Sequence, residues 1–528
     1  MTTFLSPRPQ VTLINSFARP YENAVATART CYSSKGIVLA EDVAEQPELR
    51  DRIAANVYEA GHHTTLQHGH VQFALENVSR HFLWSFLHSH PFYNSEQVSQ
   101  RYVRVAPDQM AVPPLTGRAL ALYRETLGCQ TAAYTRLITL LTPVVERLYF
   151  DLFPLRRPSP RYGEKAHPLA RRWIPKKAQE VARYVLPVAT LAYLYHTVSL
   201  LTLLRYHRLC QQPDTPTETQ TVVGEMVAAV LDYDPQLAKI LEEPLPLEET
   251  LEYRYWQDAN EIQNPKSKIQ NEYRREFDEG LAGHISRLVS WKPDNETLLA
   301  QAVREVLGRP RAAMTDDEAI DLVLDPRQNP YWGESMNVTT LSKLTRTLHH
   351  PTYTFRKKLS HTADSQDQRH RMTPGSRPML PAYLTDEPDY VTPELVGYDP
   401  AAQALYDETM EQTWAAIGRL RALGVPDEYA SYLLPNAVSI RFTESGDLLA
   451  LHHKLRMRLC YNAQEEIFAA SRDEALQIAE VNPRIGRYLG APCTLRYEAG
   501  ARPFCPEGDR YCGVPVWKLE LAAYQRVL

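Results

Sequence analysis

QEVARYVLPVATLAYLYHTVSLLTLL (179–204) and DEYASYLLPNAVSIRFTESGDLLAL (427–451) carry one plan written twice. Each sets an acidic residue ahead of Ala-x-Tyr, then Leu-Pro, then a hydroxyl-rich stretch and a Leu-rich run, and Pro435 lies 248 positions after Pro187. Self-similarity on this scale signals two copies of a folding unit. Working outward, FLHSHPFYNSEQVSQRYV (86–103) faces KLSHTADSQDQRHRM (358–372), with Gln368-Arg369 placed 268 positions after Gln100-Arg101. ATARTCYS (26–33) faces HISRLVSW (284–291). The 248 and 268 offsets differ by 20, which assigns FPLRRPSPRYGEKAHPLARR (153–172) to an inserted loop of the first copy. The acidic, proline-punctuated LEEPLPLEETLEYRYWQDANEIQNPKSK (241–268) reads as a linker. The division is therefore 1–240, a linker over 241–275, and 276–528.

Hydrophobic periodicity gives each copy an α+β character. VTLINSFA (11–18) and HGHVQFALENV (68–78) alternate as strands, and VTTLSKLTRTL (338–348) matches the second of them. Helices are expected at 114–150, 176–210, 218–232, 399–424, 427–434 and 446–480. The run 184–204 has the length of a membrane span, but Pro187, His196 and several hydroxyls argue instead for a buried helix. The N-terminal MTTFLSPRPQVTLINSF lacks the layout of a signal peptide. A net charge of −5 in 528 residues excludes the basic excess of a nucleic-acid binder. Seven cysteines are too few and odd in number for a disulfide scaffold, which points to a reduced, cytoplasmic protein.

The motifs resemble those of the flavin-dependent thymidylate synthases. RMRLCYNAQEEI (456–467), preceded by YLLP and DLLALHHKL, is similar to that family's late arginine followed by Ala-Gln-x-Glu-Ile. SEQVSQRYV (95–103) is similar to the end of its Arg-His-Arg, seven residues, Ser-x-Arg-Tyr signature, and HHTTLQH (62–68) to its early His-x-Thr segment. One family member has about the length of one copy, so the resemblance implies two tandem copies of an antiparallel sheet packed with helices. It also implies FAD as cofactor, dUMP, methylenetetrahydrofolate and NADPH as substrates, and a homodimer mimicking the family's tetramer. Nucleic acid, membrane and metal are not implied.

Carried over position by position, the resemblance assigns Ser99, Gln100, Arg101, Arg183 and Arg458 to the nucleotide, with Arg458 and Ser99 closest to the chemistry. Guanidinium forks suit the dianionic phosphate, and Arg458 suits a polarised uracil. Counting back from Ser99 sets Ser89-His90-Pro91 against the Arg-His-Arg triplet, and the second copy sets Ser360-His361-Thr362 there. On that register both copies have lost the triplet that lies against the flavin. His62, Thr64, His90, Glu334, His361 and His453 are then the substitutes for holding FAD. The late arginine of the first copy falls on Cys210, and Ser431 replaces the Leu-Pro arginine of the second. Each copy thus keeps a different part, which implies a composite site. A catalytically silent homologue that binds nucleotide or flavin, or an assembly subunit, is the alternative.

Two features lie outside the resemblance. RRPSPRYGEKAHPLARRWIPKK (156–177) is basic and aromatic, either a solvated loop or a cover for an anionic substrate such as a folate polyglutamate. Cys493, Cys505 and Cys512 lack any Cys-x-x-Cys pair and read as free buried thiols rather than a zinc site.

Overall fold

The computed structural model describes residues 6–89, 92–211, 214–260, 266–526 and 528. It contains two four-stranded antiparallel sheets of identical order, β1-β2-β4-β3 and β5-β6-β8-β7. In the first half, β1 (Gln10–Ser16) leads to α1 (Pro20–Thr30), β2 (His70–Ser79), α2 (Arg80–His88) and β3 (Asn94–Gln97). The long α3 (Gly117–Leu152) and α4 (Pro168–Ala182) follow, then β4 (Leu191–Ser199), α5 (Leu200–Arg208) and α6 (Pro216–Tyr233). The second half repeats the plan with β5 (Ser286–Trp291), α7 (Asn295–Leu307), β6 (Thr352–Ser360), α8 (His361–Asp367) and β7 (Gly375–Ser376). It closes with α9 (Pro400–Ala422), β8 (Ser439–Asp447), α10 (Leu448–Arg458) and α11 (Glu465–Val481). The α+β reading with two copies of one fold holds.

The sheets fix which residues are equivalent. Leu13 opposes Phe73 just before a bulge, and Leu288 opposes Phe355 just before another. Phe73 then opposes His196, and Phe355 opposes Glu444. Ser79 and Ser360 cap α2 and α8 by accepting the N–H groups of Phe82 and Ala363. Between Ser79 and Ser360 the offset is 281, not the 268 read from the Gln-Arg pairs. Residues 26–33 lie largely in a helix and 284–291 largely in a strand, so that pairing also fails, and 338–348 forms 3-10 turns while 352–360 is the true match of β2. The run 184–204 is a turn, a strand and a short helix rather than one helix. Its burial alternates over Ala192, Leu194 and His196, the period of a strand.

The extra length of the first half is larger than the 20 residues expected. Tyr123 donates to the Ala111 carbonyl and Tyr406 to the Val391 carbonyl, so these tyrosines, 283 positions apart, are equivalent. The Leu-Pro segments remain 248 apart, leaving 35 additional residues that lengthen α3 and add α4.

The halves join around the two Leu-Pro segments with near-twofold symmetry. Val188 N–H donates to the Leu434 carbonyl at 2.8 Å, and Asn436 N–H to the Leu186 carbonyl at 2.8 Å. Ala189 pairs with Tyr432, and Ala437 with Tyr184, in the same reciprocal way, each at 2.9 Å. A buried carboxylate secures each side. Glu218 accepts from Ser79 and from Tyr432 of the other half, and Glu466 accepts from Ser360 and from Tyr184. Both carboxylates are buried, Glu218 completely, and burial pushes Glu218 up to about 7.

The two sheet cores have diverged where the folds superpose. In the first half Phe86, His196 and Tyr206 stack at 4.5–5.8 Å, in one apolar cluster with Leu75 and Met226. The equivalent positions of the second half are Asp367, Glu444, Lys454, Lys357 and Glu474. These five form an ion cluster whose side chains are at most 1 % exposed. Lys357 Nζ lies 2.8 Å from Asp367, 3.1 Å from Glu444 and 2.6 Å from Glu474. Lys454 Nζ contacts Glu444 and lies 3.0 Å from Asp367. Burial opposes the charges, yet the carboxylates hold Lys357 well above the usual lysine range, while burial and Asp367 push Glu444 up. A buried ion cluster contributes little stability over an apolar core of the same shape. Stability alone does not account for it.

Candidate functional site

A cleft of about 1090 Å³ opens between the halves. The first half lines it with Gln67 before β2, His70 at its first position, Asn94 of β3, and Ser199, Thr202 and Arg205 around the start of α5. The second half supplies His349, the segment 369–373 after α8, and Ala450, His453, Met457 and Arg458 along α10. Spacings of three and four put His453 and Met457 on one face of α10, as helical geometry requires.

The segment after α8 reads Arg369-His370-Arg371. With Ser360 as the structural match of Ser79, this triplet is equivalent to His88-Ser89-His90 of the first half. The register that put Ser360-His361-Thr362 at the triplet is therefore displaced by nine residues. His361 is buried in the interface between halves, with its ring 5.6 Å from Trp84, and does not reach the cleft. The triplet was legible as three letters in sequence, but matching the Gln-Arg pairs hid it.

Arg458 is fixed by two contacts. Its Nε–H donates to His370 Nε2 at 2.8 Å, and Nη2 donates to the Gln366 carbonyl at 2.6 Å. Burial and the Arg458 charge hold His370 well below its usual range, so its ring is neutral and accepts at Nε2. Burial lowers Arg458 to about 10, which leaves it a cation at neutral pH. Burial and Arg456 also lower His453. Arg371 lies over the Tyr93 ring at 4.8 Å, and Arg369 pairs with Glu96 of the first half at 2.6 Å.

The remaining expected residues separate. Of the six proposed for FAD, His453 lines the cleft; His62, Thr64 and Glu334 are exposed and do not line it. His90 falls outside the described residues. Gln67 and His70, close to His62 and Thr64, occupy the position expected of that segment.

Ser99 and Gln100 lie in the turn after β3, beside a smaller pocket of about 310 Å³ shared with Arg80 and Arg104. Gln100 Oε1 accepts from Asn436 of the second half, and the same amide donates to the Arg183 carbonyl. Gln100 Nε2 and Arg183 Nη2 are both buried without an acceptor. Arg101 turns the other way, pairing with Glu180 and donating to the Asn462 carbonyl at 2.8 Å. Burial acts to raise Glu180, but Arg101, Lys177, Arg526 and Arg183 together hold it below the usual carboxylate range. The structure thus joins Arg101 and Arg183 through Glu180 and leaves Arg458 in the larger cleft.

Among the described residues, no helix is long and apolar enough to cross a membrane. No group of three or more His, Cys, Asp or Glu side chains there could hold a metal ion.

The sequence profile described as "Thymidylate synthase complementing protein" matches residues 12–236 and again 287–484. A flavin-dependent thymidylate synthase of Sulfurisphaera tokodaii is 27 % identical over 218 residues, 40 % of this chain and 79 % of that protein. The Clostridium tetani enzyme of the same name is 26 % identical over 236 residues, covering 44 % and 85 %. The Geobacter sulfurreducens enzyme is 30 % identical over 170 residues, covering 31 % and 70 %. Among solved structures, the UMP/dUMP methylase PolB from Streptomyces cacaoi, bound with 5-Br dUMP, is similar at 16 % identity. The TM-score is 0.30, over 44 % of this chain and 93 % of that one. The chain belongs to the thymidylate synthase complementing protein family, the flavin-dependent thymidylate synthases, as two tandem copies, and membership implies FAD as the cofactor.

Proposed function

We propose that this protein catalyses the reductive methylation of dUMP to dTMP, with methylenetetrahydrofolate and NADPH, at a composite site formed by its two halves. The observation that carries this reading is the cleft where Arg369-His370-Arg371, His453 and Arg458 of the second half meet Gln67, His70 and Arg205 of the first. The cleft also fits FAD. At about 1090 Å³ it matches the upper end of cofactor pockets, and guanidinium and imidazole groups stand in it for phosphate and ring oxygens. Arg369, Arg371 and His453 would hold the cofactor, which supplies hydride chemistry when bound.

The chain's own residues position and polarise. Arg458, locked by neutral His370 and the Gln366 carbonyl, presents a fixed cation where negative charge develops on uracil. The buried donors of Gln100 and Arg183, with Ser99 and Arg101, form the proposed phosphate side. Glu180 holds Arg101 in the ligand-free arrangement, so a phosphate would exchange one anion for another. The first half has His88-Ser89-His90 at the triplet, and one FAD per chain follows from that asymmetry. A homodimer would restore the four copies that the family assembles.

The test is reoxidation of the reduced, FAD-loaded protein under anaerobic conditions with methylenetetrahydrofolate, with and without dUMP, while dTMP is followed. dTMP formation in wild type and its loss in Arg458→Ala are expected. Tight FAD binding with no dTMP formed would establish the silent-homologue alternative instead.

A further inference from the structure

A second cavity, of about 470 Å³, lies away from the cleft, where the added material of the first half meets the C-terminal segment. Most of its wall is missing from the second copy or lies beyond residue 484, where the family match ends. It is built by the end of α3, by α4 and the loop before it, and by residues between 507 and 526 with Leu528. The contact between these parts is close. Gly513 has φ +93°, and a Cβ there would stand 2.7 Å from the Phe153 ring. Asn462 Nδ2 donates to the Arg510 carbonyl at 2.6 Å, tying the same segment to the second half.

The lining is aromatic and carries more cations than anions, seven Lys and Arg side chains against Glu180, Glu507 and Asp509. Arg172, Lys176 and Arg510 face the cavity, and among the described residues none of them pairs with a carboxylate. Lys176 and Arg510 both lie over the half-exposed ring of Tyr102, at 5.2 and 5.6 Å from its centroid. Arg156 covers Phe153 at 4.3 Å and donates to the Tyr149 hydroxyl, and Tyr149 in turn packs 5.3 Å from Trp173. The excess of cations over these carboxylates favours an added anion, and exposed ring faces bind flat π systems. The volume lies within the range of small-molecule sites.

We infer that this cavity is a second ligand site, which takes a planar heteroaromatic group carrying two or more negative charges. The ring stacks against Trp173, and the anionic part reaches Arg156, Arg172, Lys176 and Arg510. Nucleotide phosphates and the glutamate carboxylates of a folate share this chemistry. Arg101 also lines the cavity but belongs to the proposed substrate turn, and it is not among the cations assigned to this ligand.

Isothermal titration of the full-length protein with ADP, with pteroyltriglutamate and with dUMP tests it. One of the first two probes should saturate at or below about 1 mM and bind more weakly as salt rises. The double variant Arg172→Glu, Lys176→Glu should weaken that probe about tenfold or more and leave dUMP affinity unchanged. Arg510→Glu, on a different segment, should do the same if the helix variant is unstable. Whichever probe binds identifies the anion source. Failure of both probes to bind, no response to either charge reversal, or displacement by dUMP would each overturn the inference. The dUMP arm reads the proposed catalytic site separately, so the two readings can fail independently.

Discussion

Removing one lysine from the ion cluster of the second half should be far more damaging than removing the whole cluster. Asp367, Glu444 and Glu474 share Lys357 and Lys454, three carboxylates against two ammonium groups, with every side chain at most 1 % exposed. Lys454→Met leaves three enclosed carboxylates to Lys357 and the more distant Arg377, 3.8 Å from Glu444, and breaking a buried pair in this way costs about 3–5 kcal/mol. For a unit of this size that lowers Tm by roughly 6–20 °C. The first half already shows an alternative filling, with Leu75, Phe86, His196, Tyr206 and Met226 at the matching positions. The fivefold variant Lys357→Leu, Asp367→Phe, Glu444→His, Lys454→Tyr, Glu474→Met should therefore stay within about 2 kcal/mol of wild type, or exceed it. Calorimetric and urea unfolding of wild type and both variants at pH 7 measure this. A harmless Lys454→Met would refute the interdependence of the charges. A fivefold variant that cannot fold would refute the equivalence of the two cores.

Glu218 gives a pH prediction: its folded pKa of about 7 lies above the ordinary 4.5, so its contribution is complete below pH 4.5 and is lost as pH rises through 7. The loss amounts to about 3 kcal/mol, and Glu218→Gln should flatten that part of a urea-midpoint profile; an unchanged slope would contradict it. Glu180→Gln frees Arg101 for other anions and removes the carboxylate charge beside Lys177 and Arg183, so inorganic phosphate should raise the Tm of the variant more than that of wild type. Equal shifts would show that Glu180 does not occupy an anion position. His370→Ala removes the acceptor of Arg458 Nε–H. It should reduce kcat with little change in KM for dUMP, since Arg458 keeps its charge but loses its orientation. A change in KM alone would remove His370 from a positioning role.

Much of the architecture was legible because duplication writes equivalence directly into the chain. The Leu-Pro segments at 187 and 435 gave the correct offset, since they form the reciprocal contact between halves and little can be inserted there. Upstream, short matches failed for a physical reason. The sheet is held by backbone pairing and by alternating burial, so Leu75 and Lys357, or Phe86 and Asp367, occupy equivalent positions while sharing no chemistry. The similar letters Gln100-Arg101 and Gln368-Arg369 belong to different places in the fold. That register error concealed Arg369-His370-Arg371 and directed attention to His361, a core residue. The strand in 184–204 was missed because its outward tyrosines, Tyr193 and Tyr195, make the run look uniformly apolar. Arg458 and His453 both line the cleft, and the late motif that pointed to them carries no gap between the cap at Asp447 and Gln464.

The central claim is that the two halves build one flavin site around the triplet of the second half. FAD titration of the purified apoprotein, read by the visible flavin spectrum, tests it most directly. The expected result is one FAD per chain in the wild type. The double variant Arg369→Ala, Arg371→Ala should show affinity reduced by about two orders of magnitude, from two lost charge-assisted contacts. Two equivalent sites per chain, or a double variant that binds FAD as wild type does, would contradict the account.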